Sequence, residues 1–117
     1  MFIIGGSDVD DNFSKRTTFF NRYKRFEDKS PMVEKRAFFP SLFCLADSFI
    51  YAFGGNDGNN DLNSCEKFSL SENVWRQISP MNLRRNGASC LAIEKNIFVF
   101  GGNEQDVGSL DTIERYN

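Results

Sequence analysis

Phe49-Ile50-Tyr51-Ala52-Phe53-Gly54-Gly55 is followed, after a run of Asn and Asp, by Leu62-Asn63-Ser64-Cys65-Glu66-Lys67-Phe68. Val74-Trp75 and Ser79-Pro80-Met81 come next. The apolar runs are short, rich in aromatic and β-branched residues, and punctuated by Gly, Asn, Asp and Pro, which is the pattern of strands and turns. Four strands are expected, over about 40–46, 49–54, 64–70 and 74–79. Asp47-Ser48 is a tight turn that makes the first two a hairpin. Residues 56–61 form a loop, and Ser71-Glu72-Asn73 a further turn. No segment carries a capped helical stripe.

Outward from this stretch the same signals return. Phe2-Ile3-Ile4-Gly5-Gly6 and Phe98-Val99-Phe100-Gly101-Gly102 flank it, so the first glycines of the three pairs stand 49 and 47 residues apart. Ser30-Pro31-Met32 recurs as Ser79-Pro80-Met81, and Leu62 to Phe68 recurs as Leu110-Asp111-Thr112-Ile113-Glu114-Arg115-Tyr116. Cys44-Leu45-Ala46 recurs as Cys90-Leu91-Ala92, which places Cys44 and Cys90 at matching positions. Such a period signals an array of similar supersecondary units. The expected division is 1–32 (strands two to four of one unit), 33–81 (a whole unit) and 82–117 (strands one to three of another).

Composition narrows the chemistry. The chain has 117 residues, 26% of them charged and 40% apolar, which suits one globular domain. There is no His, so His-based catalysis and His-ligated metals are excluded for this chain alone. Its three Cys lack C-x-x-C spacing, predict no zinc site, and fit a reducing, cytoplasmic setting as buried small apolar residues. Asp8-x-Asp10-x-Asn12 opens like a calcium loop, but Phe13 stands where glycine is needed and Phe19 where the bidentate Glu is needed. Asn12-Phe13-Ser14 is a glycosylation sequon without an accompanying export signal. Asp10-Asp11 and Glu27-Asp28 point to opposite faces of a strand and do not form acid/base pairs. No membrane span and no cofactor is expected. The stretch 15–36 holds eight Lys/Arg against three Asp/Glu, while the whole chain is −2. It reads as a solvated strand pair guarded by cations rather than a nucleic-acid site.

Four antiparallel strands per unit, a glycine pair ending the second, a Glu-x-aromatic strand, a Trp strand, then Pro-Met and Arg resemble the kelch repeat. The residues that carry the resemblance are Gly5, Gly6, Gly54, Gly55, Gly101, Gly102, Glu66, Phe68, Trp75, Glu114 and Tyr116, with Pro80-Met81 and Arg84 or Arg85. In the first unit, counted back from Pro31, Phe26 stands at the Trp75 position, Phe19 at Phe68, Thr17 at Glu66 and Arg36 at the later Arg. The resemblance implies an all-β fold, a kelch-type β-propeller fragment of four-stranded antiparallel blades. Trp75 and Phe26 are then expected to be buried between blades. A closed ring takes roughly four to eight blades, so further blades are expected from outside these residues.

The resemblance also implies a non-catalytic protein-binding platform, in some relatives the substrate-recognition part of a ubiquitin ligase adaptor. The alternative is the propeller segment of an enzyme whose active site lies elsewhere. Strand direction puts the loop after strand two and the link between blades on one face, where the resemblance places a protein or peptide partner. The candidate contacts there are Arg36, Arg84, Arg85, Asn56, Asp57 and Asn103. The arginines either fork onto a partner carboxylate or tie the link to a neighbouring blade through Glu66 or Glu114; the Asn and Asp residues either touch the partner or form turns.

Overall fold

The computed structural model describes residues 1–117 and is all-β, with twelve strands and no helix. The first sheet runs β1 (Phe2–Ile4), β2 (Thr17–Phe20), β3 (Phe26–Lys29). The middle sheet has four strands in chain order: β4 (Ser41–Cys44), β5 (Phe49–Asn56), β6 (Asp61–Ser69) and β7 (Val74–Ile78). The third contains β8 (Ser89–Ile93), β9 (Asn96–Phe100) and β12 (Ile113–Tyr116). A small hairpin, β10 (Asn103–Glu104) with β11 (Gly108–Ser109), rises between β9 and β12. All pairings are antiparallel, and the sheets stack face to face as propeller blades.

Period-2 alternation decides which side chain meets which neighbour. On the middle sheet Ile50, Ala52, Phe68 and Trp75 share one face and pack with Met32, Phe2, Ile4 and Phe39. Tyr51, Phe53, Cys44 and Cys65 share the opposite face and pack with Ile97, Val99, Met81 and Tyr116. Because both faces are covered, β5 is buried almost throughout. Trp75 fills the first interface and donates from Nε1 to Thr17 Oγ1 at 2.9 Å, so its one polar atom is paired.

The glycine pairs occupy equivalent places. The first members have φ of 58°, 59° and 69°, and the second 94°, 93° and 87°. Gly6 N and Gly55 N each donate to the carbonyl of the arginine in the following link, Arg36 O at 2.9 Å and Arg85 O at 2.7 Å. A Cβ on Gly54 would lie 2.6 Å from Arg85 O, so the close approach of blade to link requires glycine there.

Several expectations are corrected. β4 and β7 are shorter than expected, while β6 begins earlier, at Asp61, and β5 continues through the glycines to Asn56 by way of a bulge between Phe53 and Gly55, leaving only 57–60 as loop. The β10–β11 hairpin was not expected. In the first sheet Ile3 pairs with Thr18 and Phe20 with Phe26, as Ala52 pairs with Glu66 and Phe68 with Trp75. Thr18 and Phe20, not Thr17 and Phe19, therefore match Glu66 and Phe68. Phe20 and Phe26 are six positions apart where Phe68 and Trp75 are seven, so counting back from Pro31 slips by one on the earlier strand, and a one-residue slip moves a side chain to the other face. Phe26 does match Trp75, and its ring sits 5.0 Å from Phe20 as Trp75 sits 5.3 Å from Phe68. Yet Phe26 is 66% exposed, because it lies on the face turned away from the middle sheet. Cys44 and Cys90 are not equivalent either. Cys90 pairs with Val99, the counterpart of Ala52, whereas Cys44 pairs with Phe49, since the β4–β5 turn is longer than the β8–β9 turn.

Candidate functional site

The link entering each blade carries two adjacent cations, and the structure gives them opposite fates. Arg36 and Arg85 turn inward and are fully buried. Arg36 Nη1 donates to Gly54 O at 2.7 Å and Ser64 O at 2.9 Å, and its Nη2 to Glu66 Oε2 at 2.7 Å. Arg85 Nη1 donates to Gly101 O at 2.8 Å and Thr112 O at 2.9 Å, its Nη2 to Thr112 Oγ1 at 2.7 Å, and its Nε to Glu114 Oε2 at 3.0 Å.

The two glutamates complete the device. Glu66 accepts from Val33 N at 2.6 Å and Glu34 N at 3.2 Å, and Glu114 from Asn82 N at 2.5 Å and Leu83 N at 3.2 Å. Each arginine thus ties its link to the second and third strands of the blade it introduces, while its own carbonyl holds the preceding blade's glycine. The expectation that Arg36 and Arg85 contact a partner is overturned: every direction of their guanidinium groups faces the protein's own acceptors or a closed interior. Their tie is to the blade they introduce; only the backbone reaches the neighbour.

Lys35 and Arg84, one residue earlier in each link, are exposed and make no hydrogen bond or ion pair. Arg84 lies between two polar concavities. One is lined by Glu34, Asp57, Asn60 and Ser64 among others, and one by Asn59, Glu104, Gln105 and Asp106. Asp61 forms part of both, but it is buried and engaged, accepting from Asn56 Nδ2 and Gln105 N at 2.8 Å each. That contact fastens the β10–β11 hairpin to the middle blade's loop.

The other candidates divide. Asn56 uses both ends of its amide, donating to Asp61 and accepting from Gly58 N at 2.7 Å, so it is a turn former. Asp57 Oδ1 accepts from Asn59 N and Asn60 N at 2.8 Å each, and these bonds hold its carboxyl below the usual carboxylate value. Asn103 pairs by backbone with Asn86, and its side chain is exposed without a partner. The arrangement brings Arg84, Asn103 and the free edge of Asp57 to one face, with Lys35 at the corresponding place one blade earlier.

Sequence reasoning missed Lys35, Glu34, Ser64 and Thr112. Lys35 stands 49 residues before Arg84, and Ser64 and Thr112 each precede the matched glutamate by two residues, so the repeat spacing carried the signal. Glu34, which meets Arg36 Nη2 at 3.2 Å, has Leu83 as its counterpart and leaves no repeated trace. The three thiols form no disulfide and lie around the interface of the middle and third blades, where burial pushes Cys65 and Cys90 up to about 11. No group of three His, Cys, Asp or Glu side chains is arranged to hold a metal.

With this geometry in hand, comparison with known proteins is informative. A family model for the Kelch motif matches residues 48–82. Kelch-like protein 33 of Homo sapiens is 33% identical over 76 residues, covering 62% of this chain and 14% of that protein. Kelch repeat and BTB domain-containing protein 2 of Cowpox virus is 26% identical over 77 residues, covering 66% of this chain and 14% of that protein. Rab9 effector protein with kelch motifs of Mus musculus is 27% identical over 123 residues, covering 97% of this chain and 32% of that protein. The chain therefore spans about a seventh to a third of the length of these relatives.

Proposed function

Since this chain belongs to the kelch-repeat family, whose members generally mediate protein–protein contacts, we propose that its loop face is a non-catalytic docking surface centred on Arg84. One observation carries the reading: of two adjacent arginines in the same link, Arg85 is consumed by the fold while Arg84 is left in solvent between two polar hollows without a partner. An acidic side chain of a protein or peptide partner meets it through a charge-assisted fork. Asn103, paired through its backbone with Asn86 two residues after Arg84, supplies a neutral donor and acceptor, and Lys35 a second cation one blade earlier.

The remaining blades of the ring come from outside these residues in this reading. One relative carries a BTB domain by its name. Substrate recognition within a ubiquitin ligase adaptor is the corresponding role if such a domain adjoins these blades. The three free thiols support a reducing compartment, the cytoplasm.

The test is a display selection of acidic peptides against the folded chain, followed by titration of selected peptides against variants. Arg84→Ala is expected to weaken binding about tenfold or more, the scale of a lost charge-assisted hydrogen bond, with denaturation midpoint unchanged. Selected peptides that bind Arg84→Ala as tightly as the parent chain, or that lose binding only when Lys35 is replaced, remove Arg84 from the centre of the surface.

A further inference from the structure

The two hollows beside Arg84 carry more negative charge than one arginine balances. Glu34, Asp57 and Asp61 line one, and Asp61, Glu104 and Asp106 line the other, while Arg84 is the only cation in either. Two of these carboxylates are already engaged. Asp61 accepts from Asn56 and Gln105, and Glu34 pairs with the buried Arg36. Three are not neutralised. Asp57 holds its backbone amides through Oδ1 and keeps Oδ2 clear. The side chains of Glu104 and Asp106 have no hydrogen-bonded or ionic partner. Arg84 and these three carboxylates stand on the middle blade, the third blade and the link between them.

The walls that carry the acids are held in place. Asn56 and Asp57 shape the 57–60 loop, and the Gln105 amide on Asp61 fastens the β10–β11 hairpin. A carboxylate brought to Arg84 therefore enters a preformed field that is negative on both sides. A ligand acidic along its whole length gains one fork there and meets three like charges. No three of the carboxylates are arranged to share a metal ion, so each calls for a counter-charge of its own.

We propose that the partner segment bound at this face has mixed charge: one carboxylate for Arg84, with a Lys or Arg on one side of it for Asp57 and on the other for Glu104 and Asp106. This rests on the docking surface proposed above and names what fits it. In an extended segment alternate side chains share a face, about 7 Å apart. Cations two residues before and after the carboxylate then enter the hollows while the carboxylate meets the arginine between them. The acidic walls select as well as attract, because they repel a competing segment with acidic flanks.

The probe is a displayed library of short peptides with a fixed central Glu and randomised positions two residues before and after it. It is panned on the 117-residue chain and, in parallel, on Arg84→Ala. Lys and Arg are expected at both randomised positions among peptides retained by the parent and lost on Arg84→Ala. One such peptide and its counterpart with Glu at both flanks are then titrated against the double variant Glu104→Gln/Asp106→Asn. That variant removes no hydrogen bond of the fold, and its denaturation midpoint checks this. It is expected to weaken the Lys-flanked peptide about tenfold and to tighten the Glu-flanked one severalfold.

Peptides that need Arg84 but carry acidic or uncharged flanks overturn the mixed-charge motif and leave the docking surface standing. So does a double variant that changes neither peptide or moves both in the same direction, since the hairpin then acts by shape alone. Lys-flanked peptides held equally by Arg84→Ala overturn both readings, because the hollows then bind without the arginine. A library from which nothing is retained does the same.

Discussion

Arg36 and Arg85 perform the same task in successive blades, yet their surroundings differ in three ways. Arg36 and Glu66 are both fully buried, and Glu34 adds a second carboxylate to the pair. Arg85 is equally buried, but Glu114 keeps 14% of its side chain in solvent, and Leu83 stands where Glu34 would be. Arg85 uses Nε to reach its glutamate, whereas Arg36 uses Nη2 and leaves Nε without an acceptor. The conserved element of the device is therefore not one bond geometry. It is the set of acceptors, namely a glycine carbonyl, the backbone and hydroxyl of Ser64 or Thr112, and a glutamate. The guanidinium reaches them in either orientation.

The comparison is broken most directly by removing each arginine. Arg36→Ala leaves Glu66 buried without its cation, which costs about 3–5 kcal/mol. Arg85→Ala leaves Glu114 with access to water and costs less, about 2 kcal/mol. Urea denaturation followed by Trp75 fluorescence measures both, and equal losses would show that solvent at Glu114 offers no relief. Replacing Arg36 and Glu66 together by Met and Leu is expected to cost less than Arg36→Ala alone, since no unpaired charge remains.

The glycines sharpen the same contrast between a covered and an open blade. Alanine at Gly54 meets Arg85 O at 2.6 Å, Met81 Cε at 2.8 Å and Leu62 O at 2.9 Å, while alanine at Gly101 meets only Leu110 O at 3.9 Å. Both hold left-handed φ, so each substitution carries about 1–2 kcal/mol of backbone strain. Gly54→Ala adds overpacking of roughly 1–3 kcal/mol. Thermal melts of the two variants should separate by that difference, and coincident melting temperatures would mean the link moves aside freely.

How far the fold was readable follows from what the repeat preserves. Glycine pairs, Glu66 and Glu114, Phe68 and Tyr116 recur because each occupies a position that only a narrow class of residue fills, so spacing alone located the blades and their order. Turn lengths recur less faithfully. The closer spacing of Phe20 to Phe26 than of Phe68 to Trp75 hid the match of Phe20 to Phe68, and the longer β4–β5 turn made Cys44 and Cys90 look equivalent. At the candidate site, sequence placed Arg84 and Arg85 side by side without saying which points inward. That choice is made by acceptors on strands far along the chain, Gly101, Thr112 and Glu114, which converge only once the blade forms. The β10–β11 hairpin has no counterpart in the middle blade and so had no repeat to announce it.

Trp75 and Phe26, matched in the repeat but not in burial, give the next test. Trp75→Phe removes the hydrogen bond to Thr17 and part of the ring volume, which costs about 1–2 kcal/mol. Phe26→Ala removes a side chain two-thirds in water and costs about 0.5 kcal/mol or less. Denaturant midpoints of the two variants measure the ratio. A Phe26→Ala loss as large as that of Trp75→Phe would place Phe26 in a packed interface.

The smallest expected effect separates the two loops that flank Arg84. The middle blade's loop is only 57–60 and is held by Asp57, which accepts two backbone amides. The third blade's loop is the longer β10–β11 hairpin, held from outside by the Gln105 amide on Asp61. The backbone amides of Asn60 and Asn59 keep the Asp57 carboxyl below the ordinary aspartate range in the folded chain. A depressed carboxylate contributes stability that is fully present above the unfolded value and is lost as pH falls through the folded one. Asp57 is largely solvated, so the contribution is discounted for screening to under about 1 kcal/mol. Between pH 6 and pH 3 the parent should therefore lose slightly more stability than Asp57→Asn, whose side chain does not titrate. Protection of the Asn59 and Asn60 amides, measured against their intrinsic exchange rates, should fall in the same interval. Identical pH slopes for parent and variant would mean that the loop owes its shape to Asn56 and Gly58, and that Asp57 is free to face a partner with both oxygens.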